Sequence, residues 1–171
     1  MNGLWLLAPF LLVRFGPLLS REAAGRAARF APMEGGERVA YWVYQLSTGA
    51  LFLCLPFLRV GRAPALPFWA GVACYLSGLA LCAASTAAFS APADSGLRTG
   101  GVYRLSRNPM YVSYFLCFAG MALLTRSAAL LGIALVFQIS GHWIILAEER
   151  WCAETFGEDY RRYAERVRRY L

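Results

Sequence analysis

Read from its N-terminus, the chain alternates long apolar runs with short polar ones. Runs long enough to cross a hydrocarbon core of about 30 Å as helix fall at Gly3 to Leu19, Val39 to Leu58, Leu66 to Phe89, Met110 to Leu124 and Ala128 to Ala147. The pattern predicts an all-α polytopic membrane bundle of about five transmembrane helices. The first run is interrupted by Pro9, Arg14 and Pro17, and the fourth is short. Only "TRS" separates the fourth from the fifth, which makes those two an antiparallel hairpin. Beyond Ala147 the pattern changes. Phe156, Tyr160, Tyr163, Val167 and Tyr170 recur at helical spacing against an arginine-rich face, so 148–171 reads as an amphipathic helix on the cytoplasmic interface. Gly157 marks a bend in it. The bundle over 1–147 and the helix over 148–171 are expected to form one domain.

Composition strengthens the membrane reading and charge orients it. Of 171 residues 58% are hydrophobic and 16% charged, outside the range of a soluble domain of this size. All 17 basic residues are arginine. Thirteen fall on one side of the five runs: Arg21, Arg26, Arg29, Arg38, Arg98, Arg104, Arg107 and six from Arg150 onward. Arg59, Arg62 and Arg126 fall on the other, and Arg14 lies within the first run. The positive-inside rule then puts the N-terminus outside and the C-terminus in the cytoplasm. No cationic stretch precedes the first run and no small-residue cleavage site follows it, so it reads as a retained anchor. The net charge of +7 reflects topology and anionic lipid, with no need of nucleic acid. An all-Arg, Ala- and Gly-rich chain suits a high-GC bacterial source and hence a bacterial inner membrane. Five cysteines lack metal-like or redox spacing and read as small apolar fillers.

Chemistry concentrates at the open end of the hairpin. In "GGVYRLSRNPMYVSYF", residues 100 to 115, Asn108 suits an N-cap and Pro109 the first helical turn. That explains the pair as a helix start alone, yet free N–H groups flanked by Arg104 and Arg107 also describe an anion site, and both readings stand. The fifth helix is expected to end at Glu148 and Glu149, where acidic groups oppose the helix dipole, so a cationic or hydroxyl-rich group should meet them. Counting back from the "TRS" turn puts His142 level with Tyr111. His142, taken alone, reads as an interhelical hydrogen-bond partner with Gly141 beside it, although ionisable groups at this depth are functional candidates by default.

Two motifs carry a family resemblance. "GVYRLSRNPMYVSY" followed, after an apolar hairpin, by "EERWCAETFGEDYRRYAERV" is similar to the integral-membrane methyltransferases of the isoprenylcysteine carboxyl methyltransferase and phospholipid N-methyltransferase group, over about residues 78 to 170. The resemblance implies S-adenosyl-L-methionine as methyl donor and a membrane lipid or lipidated acceptor reached from the bilayer, with no metal. It carries cofactor-binding roles onto Tyr103, Asn108, Pro109, Tyr111, Glu148 and Glu149. It places Arg107 and Arg166 near the acceptor or the cofactor carboxylate, and together with the residue reading it makes Arg107, Glu149, His142 and Arg166 the catalytic candidates. Asn108 stands where the isoprenylcysteine branch usually has His, and Ser113 stands where Gly is usual. Two other classes stay open: an NADPH-dependent sterol or lipid reductase, whose C-terminal arrangement is similar, and a non-enzymatic membrane scaffold.

Overall fold

A computed structural model describes residues 1–16, 31–61, 65–91 and 96–171. The end of the first apolar run, Arg21, Arg26, Arg29 and Arg62 lie outside the described residues. Five α-helices are present among those described: α1 (Leu7–Phe15), α2 (Gly36–Cys54), α3 (Leu66–Ser90), α4 (Pro109–Thr125) and α5 (Ala128–Arg166). Single 3-10 turns lead into α1 at Gly3–Leu6, extend α2 at Leu55–Phe57 and precede α4 at Gly101–Arg104. The protein is all-α, and three of its helices, α2, α3 and α5, are long and apolar enough to cross a membrane. The helix of Gly3–Phe15 and α4 are apolar but shorter.

Short polar ties close one end of the bundle. Gly3 N–H donates to the Leu58 carbonyl at 2.8 Å, Val60 N–H to Met1 at 2.9 Å and Gly61 N–H to Leu124 at 2.8 Å, so three segments meet beside the α4–α5 turn. That turn is the expected "TRS". Arg126 takes the left-handed conformation (φ 51°) and its N–H turns back onto α4, while the Ser127 hydroxyl accepts from Leu130 N–H at 3.1 Å and caps α5.

The α3–α4 seam is packed backbone to backbone. A Cβ built on Gly120 would lie 2.6 Å from Tyr75 N, and one on Gly78 would lie 2.7 Å from Cys117 N. Small residues allow this approach, and dispersion between the two backbones takes the place of side-chain interdigitation. Buried Phe118, Met121 and Phe137 continue the core toward α5.

Helix α5 departs from the expected pattern in two ways. It does not end at Glu148 and Glu149 but runs on to Arg166, with a kink where Gly157 adopts φ 54° and ψ −125°. The dipole argument against the two glutamates therefore fails, because they sit mid-helix. Nor does the helix include the whole tail. Phe156, Tyr160 and Tyr163 share one packed face, but it rests on Leu97, Val102 and Tyr103 of the protein itself, and the Tyr163 hydroxyl donates to the Tyr103 carbonyl at 2.7 Å. Val167 leaves the helix (φ −120°, ψ 131°), so Val167 and Tyr170 are not on its stripe. The backbone carbonyls of Arg168 and Arg169 accept hydrogen bonds from the segment before α4, which draws the chain across the hairpin mouth.

Candidate active site

The mouth of the α4–α5 hairpin gathers most of the expected residues. Asn108 occupies the N-cap position of α4, but its side chain makes no capping bond. Its Nδ2 donates instead to Glu149 Oε1 at 3.0 Å and to the Arg169 carbonyl at 3.2 Å. The Asn108 N–H is held by the Ser106 hydroxyl at 3.1 Å. The side chain expected to cap the helix is thus committed to the opposite helix, and Pro109, without an N–H, leaves the first turn one donor fewer to satisfy.

Glu149 is the centre of the cluster. Arg107 donates through its NH2 group to Oε2 at 3.3 Å, and its Nε stands 3.2 Å from Oε1, close enough for an ion pair but off the line that a hydrogen bond needs. The other Arg107 amino group donates to the Ala164 carbonyl at 2.9 Å. Arg169 donates to Oε2 through Nε at 3.0 Å and approaches it through NH2 at 2.9 Å. Both Arg107 and Glu149 side chains are nearly buried, at 12% and 13% exposed. A carboxylate so enclosed is tolerable because two guanidiniums and an amide satisfy its oxygens.

Glu148 turns the other way around α5 and accepts from the Tyr111 hydroxyl at 2.9 Å. Tyr111 belongs to a row of rings: its centroid is 6.2 Å from that of Tyr44 and 6.4 Å from that of Tyr114. These rings pack directly on α5 at Gly141, where a Cβ would stand in ordinary contact with both, 3.5 Å from Tyr44 and 3.6 Å from Tyr111. Beside it His142 faces the folded-back tail, with Nδ1 2.6 Å from the Tyr170 hydroxyl. Burial raises the Tyr170 hydroxyl above its ordinary range, and the direction of its bond with Nδ1 follows the imidazole tautomer.

The structure therefore brings Arg107, Asn108, Pro109, Tyr111, His142, Glu148 and Glu149 to one end of the hairpin. Tyr103 lies behind them, buried against Tyr160 and Tyr163. Arg166 is not brought in: its Nε donates to the Arg162 carbonyl on the outer face of α5. Arg169 and Tyr170 reach the cluster and were not among the expected residues. Ser113 is buried with its hydroxyl on the Met110 carbonyl at 2.6 Å and contacts Cys82 of α3, so it faces away from the mouth. Among the described residues no group of three or more His, Cys, Asp or Glu could hold a metal ion.

Comparison with known proteins bears on this arrangement. An uncharacterized protein of Haemophilus influenzae is 36% identical over 63 residues, which is 36% of this chain and the whole of that protein. No solved structure matches the chain. The family model described as phospholipid methyltransferase matches residues 66–159, from the start of α3 past the Gly157 kink, and so takes in both sides of the hairpin mouth. With more than half of its length inside that match, the chain belongs to the phospholipid methyltransferase family, a family of membrane methyltransferases.

Proposed function

We propose that the protein transfers a methyl group from S-adenosyl-L-methionine to a membrane-embedded amphiphile, with an amine-bearing phospholipid as the acceptor. The observation that carries this reading is the paired arrangement at the mouth, with Glu149 among Arg107, Asn108 and Arg169 and Glu148 on Tyr111. Those groups suit a small zwitterion rich in hydroxyls. The two carboxylates accept from hydroxyl and ammonium groups, Arg107 and the first-turn N–H groups of α4 meet a carboxylate, and Arg107 Nε is buried without a hydrogen-bond partner of its own.

When bound, S-adenosyl-L-methionine would supply an activated methyl group on a sulfonium sulfur, held by Glu148, Glu149 and Arg107. The chain's own task is positioning and exclusion of water. Glu148 and Glu149 fix the donor's hydroxyls and cation on the α5 side. Tyr111 orients Glu148 and forms the wall toward the acceptor. An alkylammonium acceptor of pKa about 10 must lose its proton before attack, and His142 and the glutamates are the groups at the mouth able to take it. The hairpin mouth faces the cytoplasm, where the donor is dissolved, and all five apolar helices are embedded in the bilayer, the two shorter ones included.

The test is incubation of the purified protein with methyl-labelled donor and a lipid extract, followed by identification of the labelled lipid. A labelled aminophospholipid formed at a rate that rises between pH 6 and 9 and falls in His142→Ala is the expected result. A flat profile insensitive to His142 would point to a carboxylate acceptor. Binding of NADPH with no binding of the methyl donor would replace the reading altogether.

A further inference from the structure

The mouth uses Arg107, just before α4, and Arg169 of the tail, and leaves Arg14 unexplained. Arg14 lies in the last turn of α1, half-buried, with its guanidinium 5.3 Å from the Tyr114 ring centroid and 5.4 Å from that of Phe15. This end of α1 sits at the mouth end of the bundle. The Val13 carbonyl accepts from Thr86, near the end of α3, at 3.4 Å, and Phe10 meets Tyr114 edge-on at 5.8 Å. Among the described residues no carboxylate pairs with Arg14. Glu37 is engaged by Arg150 at 2.7 Å, Glu149 by Arg107 and Arg169, and Glu148 by Tyr111.

A guanidinium flanking an apolar bundle without an anion beside it is costly, and its forked donors match a phosphate better than any other common lipid group. Offsetting the dipole of a short helix would account for a basic residue there, but not for its place on the tyrosine row. Arg14 rests on Tyr114, Tyr114 lies 6.4 Å from Tyr111, and Tyr111 reaches Glu148. Among the described residues, the row thus runs from a guanidinium with no carboxylate partner to a carboxylate on the side proposed to hold the methyl donor.

The geometry points to Arg14 as the residue that holds the phosphodiester of the acceptor lipid. This rests on the methyl-transfer reading above and adds the group that selects the acceptor. With the phosphodiester on Arg14, an amine two carbons away is directed along the row toward Tyr111, short of Glu148. Aromatic faces attract ammonium groups, methylated ones included. Acceptor and donor then approach the reacting region from opposite ends of the same row, as an in-line displacement requires.

Native mass spectrometry of the full chain in detergent tests this without turnover. A short-chain phosphatidylethanolamine and an alkylamine of matched chain length are compared on the wild type and on Arg14→Gln. The variant is expected to lose about tenfold in affinity for the phospholipid and to hold the alkylamine as the wild type does. Equal loss of both ligands, or of neither, overturns the proposal, as does displacement of the phospholipid by millimolar inorganic phosphate, which would mark a site for free anions. If Arg14→Gln does not fold, Arg14→Lys keeps the charge without the fork and should lose phospholipid affinity by a smaller factor; unchanged affinity there overturns the bidentate assignment. In a methylation assay the phospholipid KM should rise while the donor KM stays fixed. Failure of the wild type to methylate any lipid would remove the methyl-transfer reading and leave the binding result to stand or fall by itself.

Discussion

Helix α4 has two working faces, and they are built on opposite principles. Toward α3 it is dry and has almost no side chain at the closest contacts: Gly120 meets Tyr75, and Gly78 of α3 meets Cys117. Toward α5, at the mouth, it presents Asn108 and Tyr111 to two glutamates. The first face holds position through contact alone and tolerates no added volume. The second is held by charge-assisted bonds that another molecule carrying the same groups can replace. A rigid seam behind an exchangeable one gives the family's chemistry a fixed wall to work against.

The sharpest way to break this contrast is to add volume to the dry face. Gly120→Val puts a branched side chain where even a Cβ meets backbone at 2.6 Å. Overpacking costs about 1–3 kcal/mol, and backbone that cannot move puts this site at or above the upper end. Thermal unfolding in detergent should show the loss with or without methyl donor, since the defect lies outside the mouth.

On the wet face the two glutamates should separate. Glu149→Gln strips the charge from a carboxylate that two arginines share, leaving Arg107 buried beside a neutral amide. Loss of a charge-assisted bond is worth about 1.5–3 kcal/mol, so both ligand-free stability and donor affinity should fall, the latter by roughly tenfold to a hundredfold. Glu148→Gln keeps a partner for the Tyr111 hydroxyl and should spare stability while weakening donor binding. Calorimetry and thermal unfolding on the same samples read both quantities, and identical behaviour of the two variants would erase the distinction between them.

The smallest effect belongs to the tail. Tyr170→Phe removes one hydrogen bond, shared with His142 Nδ1, worth about 0.5–1.5 kcal/mol. Faster amide exchange confined to 167–171 is the expected signature. Exchange that spreads into α5 would mean that the tail supports the helix itself.

Much of this was legible in the residues, and the failures share one cause. Hydropathy located the helix ends of α3, α4 and the start of α5 within a residue or two, because burial in lipid writes an unbroken local signal. The resemblance and the spacing together pointed to Arg107, Asn108, Tyr111, Glu148 and Glu149 as one site. What local pattern could not supply was the choice among partners far apart in sequence. Asn108 has the right side chain to cap α4, yet its Nδ2 donates to Glu149 and the Arg169 carbonyl, which orients the amide away from the helix's own N–H groups. Val167 and Tyr170 continue the helical spacing of Tyr160 and Tyr163, but bonds from Ser106, Arg107 and Asn108 to the carbonyls beyond Val167 unwind the chain there. That unwinding brings in Arg169 where Arg166 was expected. The signal that could have found it was the run of three more basic and aromatic residues after Val167, too short for another helical turn.

The three-residue turn at Arg126 has a mechanical consequence. With its closed end tied to Gly61 and its α3 side locked by glycines, the hairpin resembles a pair of tweezers pinned along one arm. The 17 residues of α4 give each arm a reach of about 25 Å at 1.5 Å per residue. A pivot of only about 5° at Arg126 therefore moves the tip of α5 by about 2 Å, which is enough to separate Asn108 from Glu149 and carries α2 along through the Tyr44–Phe137 stack and the Glu37–Arg150 pair.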